Sequence, residues 1–412
     1  MLYGSGAIGG VVDVTTNRIH SEVPEETSGR VQLRTADNAD ASNGAFVVDA
    51  PLSDSVVLNV DGFLSDADDY EIPGFAESAF QIAAEEAEGG EEGEEEEEVF
   101  GILEGSRVER SGAAIGLSSV GERGFVGFTV SSLNAEYGLV GGHEEGEEEE
   151  EEGEEEEGPG IIDLEQTRFD LEAQLNDPFA GVESINFRVG VNDYEHEEIE
   201  GNGEVGTRFE NDAWEGRVEL KHKEIAGFEG ALGLQIGNRE FSAVGEEAFV
   251  PPVDSDTYGL FWVGQRTFGD YQFETGLRFE QTDYEPSAAG LADTDFDTVS
   301  ASFGLVRSFS ERLTVSALLD IANRAPTIEE LFSNGPHLAT QSFEIGDPNL
   351  DEEGVTGLTI SAGYSGELVQ LDASVYVLDF SDYIYESNTG EIEDDLPVFQ
   401  FQQDDATFTG ID

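Results

Sequence analysis

The chain has 412 residues and carries 92 Asp or Glu against 18 Lys or Arg, a formal net charge of −74. That balance excludes a nucleic-acid binder, because a phosphate backbone would be repelled, and the absence of cysteine excludes disulfide and thiol chemistry. No segment has the roughly 18 apolar residues of a membrane helix, and the opening MLYGSGAIGG has no basic stretch followed by an apolar run, so no signal peptide is read there.

In chain order, residues 10–16 read as a short apolar strand with no preceding fold to join. In SVVLNVDGFLS, Val56, Leu58, Val60 and Leu64 oppose Asn59 and Asp61. In DYQFETGLRFE, Tyr271, Phe273, Thr275, Leu277 and Phe279 form one row, and Gln272, Glu274, Gly276, Arg278 and Glu280 the other. In ERLTVSALLDI, Leu313, Val315, Ala317, Leu319 and Ile321 oppose Arg312, Thr314, Ser316 and Asp320. A period of two over ten or more residues means long strands rather than helices. Strands of about ten residues, tilted, span a bilayer as part of a closed barrel.

The connections alternate. Tight ones fall at 121–124, 178–181, 226–227, 269–270, 310–311 and 366–367, and longer ones at 66–110, 138–161, 242–254, 286–295, 324–353 and 381–398. Up-and-down topology produces that alternation, with short periplasmic turns and long external loops. A soluble sandwich has no reason for it. The expected fold is all-β, a transmembrane antiparallel β-barrel of which about 16 strands are present. The last strand has no clear closing partner, so the sequence reads as an internal fragment.

Five stretches carry a family resemblance. LYGSGAIGGVVDVTTNRI, with Gly4, Gly6, Gly9 and Gly10 before Val11 and Val12, resembles the end of the plug domain of TonB-dependent outer-membrane receptors. NRAPTIEELFSNGPHLATQSFEIGDPNLDEE (323–353) and NDYEHEEIEGNGEVGTRFENDAWEGRVELKHK (192–223) are similar to the zinc-receptor-like branch of that family. LFWVGQRTFGDYQFETGLRFE and LPVFQFQQDDATFTG fit it as well. The resemblance implies a plugged barrel of 22 strands. Residues 1–20 would be the C-terminal tail of the plug, and 21–412 an incomplete barrel with long acidic extracellular loops. It implies an energised importer, monomeric, seated in outer-membrane lipid of a Gram-negative bacterium. The TonB–ExbB–ExbD complex would drive it through an N-terminal segment preceding this sequence.

The candidate site residues follow from the loops. The five histidines (His20, His143, His196, His222 and His337) form neither an HExxH nor a nucleophile–base pair, so no enzyme is expected. Two Glu tracts, 85–98 and 144–157, fall in external loops; they read either as a solvated coat or as a cation-collecting antenna. His143 beside Glu144 and Glu145 adds an imidazole to the second tract. His337 lies in NGPHLATQSFEIGDP, where Asn334, Gly335 and Pro336 give specific turn chemistry, with Glu344 and Asp347 downstream. His196 and Glu197 in DYEHEE are a second candidate cation pair, whereas His20 and His222 read as structural or solvent-facing.

No resident cofactor is expected. The expected cargo is a scarce metal, with Zn2+ favoured for a chain with few bases to hold an anionic chelate. An iron-siderophore or heme receptor is the alternative, with loop-bound Ca2+ or Mg2+ as further options, and a passive or adhesive surface barrel is the third reading. The global acidity points to a saline habitat, where mutual repulsion is screened.

Overall fold

The period-two rows fold as one antiparallel meander. A computed structural model describes residues 4–6, 8, 10–12, 14–76, 100–140, 160–245, 248–337, 340, 342–393 and 396–412. Both Glu tracts, and with them His143, Glu144 and Glu145, lie outside the described residues.

The first half of the meander is β1 (Ser28–Thr35), β2 (Ser42–Ser53), β3 (Val56–Ala67), β6 (Val108–Gly121), β7 (Gly124–Gly138), β8 (Ile161–Asn176), β9 (Val182–Ile199) and β10 (Val205–Ile225). It continues through β11 (Phe228–Gly245), β12 (Val253–Phe268), β13 (Tyr271–Pro286), β14 (Thr294–Ser310), β15 (Leu313–Arg324), β18 (Glu353–Ser365), β19 (Gln370–Glu393) and β20 (Leu396–Ile411). Each strand pairs with the next along the meander, from β1 with β2 to β19 with β20. Four short strands lie in the connections: β4 (Tyr70–Phe75) with β5 (Phe100–Leu103), and β16 (Asn334–His337) with β17 (Ser342–Ile345). Among the described residues the meander therefore has 16 strands, as its sequence pattern predicts.

The two faces separate as expected. Leu234, Leu260, Phe279 and Val299 stand side by side across β11–β14, and all four are exposed on the outer face. One residue away, Phe261 of β12 and Arg278 of β13 pair with each other and turn inward. Leu277 is 53% exposed and Phe279 44%, but Arg278 is 3% and Glu280 5%. An apolar outer row over a polar inner row inverts the soluble pattern, and it suits a wall bathed in lipid.

All the tight turns fall at one end of the wall. The opposite end carries the longer connections, with short exceptions at 36–41, at 200–204 and between Glu393 and Leu396. Two sequence expectations are corrected here. Much of 381–398 is ladder rather than loop, because β19 runs to Glu393 and pairs Ile392 with Pro397, while a register shift between Asn388 and Ile392 absorbs the surplus residues. Among the described residues of 10–16 no strand forms, since no described backbone ladder receives them, and Val12 is left 90% exposed.

The segment around them is nevertheless tied to the inner wall. Ser5 donates to Glu280 of β13 through its amide and its hydroxyl. Arg18 makes a two-pronged bridge to Asp61 at 2.9 and 2.8 Å, and His20 Nε2 donates to Asp49 at 2.8 Å. The Arg18 carbonyl passes so close to Gly116 that a Cβ there would meet it at 2.4 Å. Of the two roles expected for His222, structural or solvent-facing, the structural one holds: it is buried, its Nδ1 donates to the Lys223 carbonyl and its Nε2 accepts from Trp262.

The apolar core sits inside the wall at the loop end. Phe209, Val253, Tyr284, Phe296 and Ile384 from the strands pack against Phe249 and Val250 and against the short helix α1 (Ile328–Phe332). The connection between β15 and β18 is thus a folded body seated in the mouth.

The facing assignment is testable on β15. Ala317 stands on the outer face between Leu305 and Ile360, and Ser316 on the inner face between Val306 and Ser361. Ala317→Arg should impair assembly by roughly 2–4 kcal/mol if it lies near the midplane, with Ser316→Arg better tolerated. Heat-modifiability of the folded species on gels reads both, and equal damage would contradict the assignment.

Candidate ligand site at the loop end

The site is built by the connection 325–352. Arg324, the last residue of β15, is half of its anchor. Its guanidinium reaches Glu330 at 2.8 and 2.9 Å and the deeply buried Glu353, first residue of β18, at 3.2 and 3.1 Å. Thr327 then caps α1, accepting from the Glu330 amide while the Glu330 carboxylate accepts from the Thr327 amide. The cap contributes about 1 kcal/mol, whereas burying Ile328, Leu331 and Phe332 contributes roughly 1.5–3 kcal/mol each. Burial therefore seats the helix, and the cap and ion network fix its angle.

After α1 the chain enters the hairpin β16–β17, held from two sides. The Asn334 amide donates to the Phe249 carbonyl at 2.7 Å, and β17 pairs in parallel with β20 from Phe343–Val398 to Ile345–Gln400. Gly346 passes against α1, where a Cβ would lie 2.6 Å from the Leu331 carbonyl carbon.

This hairpin brings together His337 and Glu344, both singled out in the sequence. His337 Nδ1 donates to Glu344 Oε1 at 2.7 Å, and its ring stacks on Phe249 with centroids 4.3 Å apart. Glu344 also accepts from Thr340 at 2.9 Å, and its side chain is 6% exposed against 29% for His337. Asp347, the third candidate in this loop, is not part of the cluster. Its carboxylate accepts from the amide and the side chain of Asn349, both at 2.9 Å, which closes a turn.

The other candidate pair is not brought together. His196 and Glu197 are consecutive on β9 and face opposite sides. His196 pairs with Phe209, stacks on it at 4.5 Å, and keeps a buried Nδ1 without a hydrogen-bond partner. Glu197 is beside Arg208, 3.9 Å away, on the other face. Two residues beyond His196, Glu198 returns to the inner face, and its charge acts on His337, as does that of Glu386 on β19. Neither glutamate was singled out in the sequence. Counting by two from His196 would have found Glu198; Glu386 has no such signal.

The electrostatics follow from burial and pairing. Burial pushes the His337 imidazole down, but its hydrogen bond to Glu344 and the charges of Glu344, Glu198 and Glu386 carry it above the ordinary histidine value. Burial pushes Glu344 up, yet the His337 hydrogen bond and charge, with Thr340 and Ser342, hold it below the ordinary carboxylate value. A histidine whose Nδ1 is fixed by a carboxylate presents Nε2 as the remaining donor atom, the arrangement common behind metal-ligating imidazoles. Among the described residues no group of three or more His, Asp or Glu is close enough to hold a metal ion. The described residues thus offer one imidazole in an acidic mouth rather than a closed cage.

The pair makes the hairpin pH-sensitive. The raised His337 contributes stability that is full below the ordinary histidine value and lost as pH rises through its own value. The lowered Glu344 contributes stability that is full above the ordinary carboxylate value and lost as pH falls through its own. Protection against hydrogen exchange at Phe343–Ile345, corrected for intrinsic rates, should weaken roughly fivefold from about pH 5.5 to about pH 8.5, a loss on the order of 1 kcal/mol. His337→Ala should abolish the difference, and a pH-independent wild type would contradict the assignment.

Residues 147–412 match the family described as TonB dependent receptor-like, beta-barrel. Among solved structures, the copper transporter OprC superposes with a TM-score of 0.71 at 16% identity, covering 95% of this chain and 58% of that one. A double mutant of the Serratia marcescens hemophore receptor HasR, in complex with its hemophore HasA and heme, gives 0.68 at 11%, covering 95% and 61%. The siderophore receptor PirA from Pseudomonas aeruginosa gives 0.64 at 14%, covering 99% and 66%. The chain thus spans less than two thirds of the length of these structures, and at such identities the likeness is one of fold. With the family match extending over most of the sequence, and a lipid-suited wall carrying tight turns at one end and a folded loop at the other, this chain belongs to the TonB-dependent receptor β-barrels of the outer membrane.

Proposed function

We propose that the protein takes part in energised uptake of a metal ion or metal chelate across the outer membrane. The observation that carries this reading is the mouth itself, where a loop packed inward presents His337, backed by Glu344 and faced by the charges of Glu198 and Glu386. In this reading residues 1–20 are the end of a plug and 21–412 most of a barrel, and a preceding segment engages TonB–ExbB–ExbD. The ties from Ser5, Arg18 and His20 to the inner wall support it, since a passive pore has no use for a chain fastened across its lumen.

For the cargo, the similar structures are receptors or transporters named for copper, heme, a siderophore and iron, which favours a chelate or a copper-like metal over zinc. The zinc reading rests on the residues and on the resemblance to the zinc-receptor-like branch: one imidazole beside the buried Glu344 and nearby carboxylates is a borderline-metal donor set. The role of the Glu tract 144–157, with His143, Glu144 and Glu145, as an antenna is a separate proposal. So is the salt-rich habitat suggested by the charge of −74, which predicts unfolding as salt is withdrawn.

Uptake of labelled zinc, copper, ferric siderophore and heme, by cells with and without an energised inner membrane, tests the function. One cargo should be taken up only when energy is supplied, whereas energy-independent entry of all four would favour a passive barrel. His337→Ala should raise the half-saturating concentration of that cargo roughly tenfold at any salt, because a direct contact is short-range. Deleting 144–157 should slow uptake only at limiting cargo and low salt, since the Debye length falls to about 3 Å near 1 M. No effect at limiting cargo would make the tract a solvated coat.

A further inference from the structure

A different chemistry occupies the outer face at the tight-turn end. On β14 the outward row runs through Val299, Phe303 and Phe309, all exposed, and Arg307 belongs to it by alternation. Its pairing with Tyr271, two residues from the Phe273–Leu305 pair, puts it on the lipid side of the wall. The guanidinium carbon lies 4.3 Å from the centroid of Phe309 and 4.8 Å from that of Tyr271. Its Nε is buried without a hydrogen-bond partner, and among the described residues no carboxylate is within ion-pair distance. In a chain with 92 acids and 18 bases, twelve of the basic side chains are bridged to acids, and Arg307 is not among them. Asp270 and Glu311 occupy the adjoining turns, yet neither reaches Arg307.

A second cation lies two strands away. Arg266 of β12 pairs with Phe273, on the same outer face and two residues out of register with Arg307, so their backbones are roughly 12 Å apart across β13. It sits over Phe228 at 5.9 Å and donates to the Ala226 carbonyl at 3.2 Å. Aromatic rings at this depth mark the boundary of the hydrocarbon with the headgroups. A guanidinium there has one abundant anionic partner whose geometry fits its planar fork, the phosphate diester of a lipid.

We propose that Arg307, framed by Tyr271 and Phe309, with Arg266 as a second cation, is a seat for a phospholipid phosphate in the periplasm-facing leaflet. The two rings hold the guanidinium against the strand and desolvate its Nε, leaving the terminal nitrogens to the headgroup. The proposal depends on the family's membrane orientation and is independent of the cargo.

The test is lipid retention by the full-length protein purified from its own outer membrane, read by native mass spectrometry after exchange into phosphatidylglycerol, phosphatidylethanolamine or phosphate-free diacylglycerol. Wild type should retain both phospholipids in preference to diacylglycerol, and excess inorganic phosphate should not displace them. Arg307→Gln should lower retention roughly fivefold and Arg307→Lys less, with heat-modifiability unchanged. If Arg307→Gln does not fold, Phe309→Leu keeps the charge while removing one ring, and should still lower retention. Undiminished retention in the folded variants, equal retention of diacylglycerol, or displacement by inorganic phosphate would each overturn the lipid seat.

Discussion

In hydrocarbon there is no water to satisfy a backbone amide or carbonyl, so each must find its partner within the protein. Most features of this chain follow from that constraint. It forces long strands into a continuous ladder and forces every strand to divide its residues by two. The apolar half must face out, which displaces the polar half inward and the acids to the lumen and the ends. Arg278 and Glu280 show the result: a charged pair with both members nearly inaccessible, one residue from the exposed Leu277 and Phe279.

The loop end answers a second constraint. A wide wall leaves a mouth that strands alone do not fill, and the connection 325–352 fills it by folding inward. The magnitudes rank its fastenings. Burial of Ile328, Leu331 and Phe332 outweighs the Thr327 cap, so apolar contact supplies the seat. The buried Arg324–Glu330–Glu353 network adds orientation more than stability, because desolvation of buried charges offsets much of their attraction. His337 and Glu344 inherit their positions from that body. Their pairing across β16–β17 is a local consequence of a long-range dock.

What could be read from the sequence divides along the same line. The strand rows, the 16-strand meander and the end-to-end alternation of connections are local patterns, and they were legible. His337 and Glu344 were legible as individuals through turn chemistry, but their hydrogen bond required the register of a four-residue hairpin. The Thr–x–x–Glu cap at Thr327 was written in the chain and gave no hint of its inward packing. The stacking of His337 on Phe249 joins residues nearly ninety positions apart, and no periodicity encodes it. Residues 381–398 misled because Asn388 and Gly390 carry loop chemistry, while the ladder continues past them through a register shift. The described residues of 10–16 misled in the opposite sense: a strand-like composition forms a strand only where a neighbouring edge receives it.

The central claim is that alternate residues of one strand meet two different solvents. The sequence has no cysteine, so each introduced cysteine is unique, and a scan along Tyr271–Glu280 of the membrane-inserted protein tests the claim directly. A spin label or fluorophore at 271, 273, 275, 277 and 279 should be quenched by a lipid-phase reagent, and one at 272, 274, 276, 278 and 280 by none but a water-soluble one. Loss of the alternation, or its opposite phase, would contradict the account.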